Sequence, residues 1–76
     1  MKVNVKFFAS MRESMGRADD SVEVSEGATV ADVWAKVSSD ALPENTLIAV
    51  NMEYTSLEAQ LKEGDELAFF PPVTGG

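Results

Sequence analysis

The chain has one extended helical apolar stripe, and segments of strand-like alternation surround it. Val30, Val33, Trp34 and Val37 fall at i, i+3, i+4 and i+7, which is one face of a helix. Thr29 precedes them with Asp32 three residues on, the spacing of an N-terminal cap. The valines lower intrinsic helix propensity, so packing must hold this segment. Trp34 lies on the stripe and reads as core. A lone amphipathic helix needs an apolar surface to lie on, and the flanking segments supply one.

From Lys2 to Ala9 the chain alternates, with Val3, Val5 and Phe7 on one face and Asn4, Lys6 and Phe8 on the other. Period two predicts a strand with one buried face. Asp20 to Ser25 alternates again, with Val22 and Val24 inward. Leu47 to Asn51 is a short, apolar, central strand, and Asn51-Met52-Glu53-Tyr54 turns into a brief one. Glu66 to Phe70 is the last strand, with Leu67 and Phe69 on one face and Ala68 and Phe70 on the other. Pro71-Pro72 must end it, because neither can donate to a ladder.

The connections read as turns and short helices. Ser10-Met11-Arg12-Glu13 has the spacing of a capping box, Met11 and Met15 are i,i+4 neighbours, and Gly16 can close the helix. Glu26-Gly27 and Glu63-Gly64-Asp65 are turns. Asp40 to Thr46 is a loop, and Leu57 with Leu61 predicts one helical turn. This order fits an α+β fold, the ubiquitin-like β-grasp. It is a mixed sheet of about five strands packed on one main helix plus short helices, with the first and last strands adjacent at its centre. Residues 1–70 form that domain and residues 71–76 an extended tail. With the first and last strands neighbours, Phe8 and Phe70 meet on the sheet's outer face, with Tyr54 nearby. Exposed paired aromatics point to a protein interface.

Composition narrows the chemistry. Seventy-six residues make one small domain. The sequence has no Cys and no His, which removes disulfides, thiolate nucleophiles and the usual neutral-pH proton shuttle. The net charge of −7 repels phosphate backbones and disfavours nucleic acid, while suiting a basic protein partner. No apolar run approaches the roughly 18 residues of a membrane span. The first residues, Met1-Lys2-Val3-Asn4-Val5, show no signal segment. A cytoplasmic protein with no bound cofactor and no metal is expected.

One reactive, well-presented group remains: the C-terminal carboxylate of Gly76. From Leu67 onward no side chain carries a charge, and the chain ends Pro71-Pro72-Val73-Thr74-Gly75-Gly76. The prolines stiffen the exit, and six residues span roughly 20 Å. Gly75 and Gly76 lack a β-carbon, so the end can enter a slot closed to other residues. A carboxylate is inert until activated, and attack on ATP gives an acyl-adenylate that a nucleophile can open.

The block Gly64-Asp65-Glu66-Leu67-Ala68-Phe69-Phe70-Pro71-Pro72-Val73-Thr74-Gly75-Gly76 resembles the C-terminus of the MoaD family, the small subunits of molybdopterin synthase. Val5-Lys6-Phe7-Phe8-Ala9-Ser10-Met11-Arg12-Glu13 with Gly16, and Ala49-Val50-Asn51, are similar to that family's first strand and helix and its central strand. The resemblance spans essentially the whole chain. It implies a sulfur carrier without catalytic groups of its own. A MoeB-like enzyme would use ATP to adenylate Gly76, and sulfur would displace AMP to leave a thiocarboxylate. The tail would enter a MoaE-like large subunit and donate sulfur to cyclic pyranopterin monophosphate, in a heterotetramer of two small and two large subunits. Gly75 would allow passage. Phe8, Tyr54 and Phe70, with Pro71, Pro72, Val73 and Thr74, would meet the partners. A carrier for thiamin or tRNA thiolation, a ubiquitin-like protein modifier and a plain binding module are the competing readings.

Overall fold

Val3, Val5 and Phe7 are buried while Lys2, Asn4 and Lys6 are exposed, so the alternation of the first strand is realised side chain by side chain. In the computed structural model, which describes residues 1–71, this strand is β1, Lys2–Phe7. It is followed by α1 (Ser10–Met15), β2 (Asp19–Glu23), α2 (Val30–Val37), β3 (Leu47–Val50), β4 (Glu53–Thr55) and β5 (Glu66–Phe70). The five strands form one sheet in the order β2-β1-β5-β3-β4. β1 and β5 run parallel at its centre, and the other pairs are antiparallel. This is the ubiquitin-like β-grasp, α+β with a mixed sheet.

α2 lays Val30, Val33 and Trp34 on one face of that sheet. The core there joins Val3, Val5 and Phe7 of β1, Ile48 of β3, and Leu67 and Phe69 of β5. Phe69 is fully buried, with the Phe7 ring 6.0 Å away and the Trp34 ring 5.1 Å away, edge-on. The indole N–H of Trp34 donates to the carbonyl of Asp40, so its polar atom is satisfied.

The start of α2 leaves no donor unpaired. Thr29 and Asp32 form a reciprocal capping box, with the Asp32 N–H donating to Thr29 Oγ1 and the Thr29 N–H to Asp32 Oδ2. The next two N–H groups, of Val30 and Ala31, donate to the carbonyls of Ala59 and Leu57. All four groups that a helix start orphans are thus accounted for.

Two local expectations are corrected. Ser10 does not cap α1: the N-cap is Ala9, and no side chain caps the helix. The carbonyl of Phe8 accepts from Met11, and that of Ala9 from Arg12 and Glu13, so the backbone takes the donors a Ser10 box would need. Leu57 to Leu61 is not a helical turn. Gln60 bridges to Thr29, and the Leu61 N–H donates to Ala28. This segment's carbonyls serve the start of α2, which a helix of their own would prevent. Among the described residues α1 is therefore the single short helix beside α2.

Candidate functional site

The face of the sheet turned away from α2 is set by the pairing register. Lys6 stands opposite Ala68, Ala68 opposite Ala49, and Ala49 opposite Tyr54, one row across four strands. Two residues further along, Phe70 pairs with Leu47, and Phe8 follows the end of β1. Ala49 and Ala68 are only 4% and 9% exposed, yet they stand outside the cluster of core side chains. They make the small-residue floor of this outer face.

On that floor the expected aromatic pair forms. The rings of Phe8 and Phe70 stack with centroids 4.7 Å apart and planes 6° from parallel. Phe8 is 40% exposed, and Phe70 is half-buried. Tyr54 shares the face and is 76% exposed. It lies beyond the Ala49–Ala68 row rather than in the stack, so the three rings flank the floor from two sides.

Charge is divided across the same face. Over β1 and β2, Lys2 pairs with Glu23 and Lys6 with Asp19 in the register. Lys6 Nζ also lies 3.7 Å from Glu66 Oε2, with both side chains about half exposed. Such a surface pair contributes about 0–1 kcal/mol. Beyond Glu66 this face carries no charge along β5 and β3, where Ala68, Phe70, Leu47 and Ala49 stand. Phe70 is the last residue of β5, so Pro71 leaves the sheet from the apolar half. Pro71 is half-buried and has left the strand. Pro72, Val73, Thr74, Gly75 and Gly76 lie outside the described residues.

Three further features of the face were not singled out from sequence. Leu47 borders Phe70, and the parity of β3 could have found it from Ala49. The Lys6–Glu66 pair needs the β1–β5 register. Met52, 92% exposed, sits in the β3–β4 turn with Asn51, both at positive φ (72° and 50°). Those angles are the two-residue hairpin geometry that favours Asn-Gly, so Met52 is held where glycine is usual. Asn51 ties this turn to β5: it accepts from the Glu66 N–H and donates to Asp65 Oδ1.

The arrangement is an exposed sheet face on which the Phe8–Phe70 stack and Tyr54 border a floor of small residues. Among the described residues no cluster of carboxylates is placed to hold a metal. No helix there is long and apolar enough to cross a membrane.

Known proteins resemble this chain in sequence and in architecture. The profile of the ThiS family matches residues 5–76. The molybdopterin synthase sulfur carrier subunit of Haemophilus influenzae is 39% identical over 83 aligned positions, covering 97% of this chain and 99% of that protein. The subunit of the same name from Escherichia coli is also 39% identical, over 85 positions with the same coverage. The crystal structure of small archaeal modifier protein 1 from Haloferax volcanii superposes with a TM-score of 0.83 at 28% identity. That match covers 95% of this chain and 98% of the other.

Proposed function

This chain belongs to the ThiS family, and on that premise we propose that it is the sulfur carrier subunit of a molybdopterin synthase. The observation that carries the reading is the end of β5. An uncharged run leaves the centre of the sheet beside the Phe8–Phe70 stack and leads to Gly75–Gly76. Full-length relatives named for this role support it.

The chemistry needs little from the domain itself. The Gly76 carboxylate attacks the α-phosphorus of ATP, pyrophosphate leaves, and an acyl-adenylate forms. A persulfide sulfur attacks the acyl carbon and expels AMP. A thiol then cleaves the resulting S–S bond, taking up the donor as a disulfide, and leaves a thiocarboxylate on Gly76. ATP is thus a substrate of a MoeB-like activating enzyme rather than a cofactor of this chain. The carrier contributes recognition and delivery, which convert a bimolecular sulfur transfer into one within a complex.

The outer face supplies the recognition. Phe8, Tyr54 and Phe70 are the aromatic anchors, with Pro71, Pro72, Val73 and Thr74 as the stiff lead into the partner's active site. The partner is a MoaE-like large subunit, in a heterotetramer of two small and two large subunits. Cyclic pyranopterin monophosphate receives the sulfur there.

Adding residues after Gly76 tests the reading. The extended chain is expected to fold normally and to give no molybdopterin with the large subunit. An extended chain that supports molybdopterin formation without being trimmed contradicts it. The likeness to an archaeal modifier protein favours a second reading, attachment of Gly76 to lysines of other proteins. Isopeptide-linked products in cell extracts are its signature.

A further inference from the structure

The parallel ladder between β1 and β5 stops one residue short of the tail. Its last register pair is Phe7 with Phe69. Beyond that pair, the Phe8 N–H reaches the Phe69 carbonyl over 3.3 Å, a long contact for this type of bond. On its other side Phe70 still pairs with Leu47 of β3. The next residue is proline and offers no donor. On the β1 side, then, the hydrogen-bond ladder no longer holds the point where the tail begins, and the Phe8 ring lies there instead.

Phe8 is itself held firmly. Its carbonyl accepts from the Met11 N–H at 3.0 Å, closing a four-residue turn. The second residue of that turn, Ala9, has φ 52° and ψ −127°, backbone that favours glycine. A non-glycine residue in such a conformation is strained, and it persists only where its surroundings impose it. Here the strained residue directly follows the ring that stacks on Phe70 at 4.7 Å, with planes 6° apart.

We infer that Phe8 is a positioning residue for the tail, acting through Phe70 to fix the direction in which Pro71 leaves the sheet. This goes beyond its service as a partner contact, and it rests on the carrier reading above. A contact residue adds binding energy whether or not the tail is aligned. A positioning residue governs how often a bound tail points into the active site, and so acts on turnover.

The experiment is steady-state adenylation of the full chain by a cognate activating enzyme with ATP, varying carrier concentration. The variants are Phe8→Leu, which keeps apolar bulk but loses the flat ring, and Phe8→Tyr, which keeps the ring. Phe8→Leu is expected to lower kcat by about tenfold or more, whatever rise in KM its lost partner contact adds. Phe8→Tyr is expected to restore kcat. A raised KM at unchanged kcat, or no change in either, overturns the positioning role. So does a Phe8→Tyr variant as slow as Phe8→Leu. Thermal melting accompanies each assay, and if Phe8→Leu is unfolded at the assay temperature, Phe8→Met is put through the same comparison. A wild-type chain that is not adenylated at all overturns the carrier reading and the positioning role together. An adenylated wild type with only a KM effect overturns the positioning role alone.

Discussion

Phe70 lies between two neighbours on the outer face, the Phe8 ring stacked on it and Leu47 opposite it across the β3–β5 ladder. Phe69, one residue earlier, points the other way and is fully buried. Two consecutive aromatic residues of one strand therefore have separate tasks. Phe70→Ala is expected to weaken binding to the large synthase subunit by about 2 kcal/mol, the scale of an interface anchor. Its effect on the melting temperature should be small by comparison. Titration calorimetry and thermal melting of the same variant check this, and equal losses in both would place Phe70 in the core.

The opposite outcome is expected at Phe69. Its ring packs against Phe7 and Trp34, and truncation leaves a cavity in a thin core. Phe69→Ala should cost about 3–5 kcal/mol, enough to unfold much of so small a domain. Urea denaturation followed by Trp34 fluorescence measures it.

The helix starts offer a paired test. Thr29→Ala removes a side-chain acceptor from the capping box of α2 and should cost about 1 kcal/mol. Ser10→Ala removes no cap from α1, and its cost should stay within about 0.5 kcal/mol. Chemical denaturation of both variants gives the comparison. A larger loss at Ser10 would contradict the assigned cap at Ala9.

These cases show what the sequence made legible. Period two in Val3, Val5 and Phe7, and the 3.6-residue spacing of Val30, Val33, Trp34 and Val37, depend only on which face is buried. Both could be read directly. The Phe8–Phe70 stack required one more step, that the first and last strands are neighbours, which came from the fold and not from either residue's surroundings. Ser10 and the Leu57–Leu61 segment misled because their patterns are local while the deciding hydrogen bonds are not. The carbonyls of Phe8 and Ala9 displaced the Ser10 box, and the donors of Val30 and Ala31 recruited Leu57 and Ala59 from across the chain. Met52 gave no signal of its own, since its positive φ follows from a hairpin length fixed by pairing.

Away from the site, Glu58 gives a pH-dependent prediction. The Ser56 hydroxyl first, and then its own backbone N–H, hold its carboxyl below the ordinary value of 4.5. A carboxyl with a lowered folded pKa contributes stability that is present above the unfolded value and is lost as pH falls through the folded one. Ser56→Ala should therefore move the Glu58 titration up toward 4.5. Carboxyl-detected NMR titration of both proteins checks the direction, and an unmoved Glu58 would mean that Ser56 is not the cause.

The central claim is that sulfur is carried on Gly76, and intact-mass measurement tests it most directly. The chain is incubated with a cognate activating enzyme, ATP and a persulfide donor, beside a variant lacking Gly76. The account predicts a mass increase equal to one oxygen replaced by sulfur in the full chain and none in the variant. An unchanged mass, with enzyme and donor shown to be active on another carrier, would contradict it.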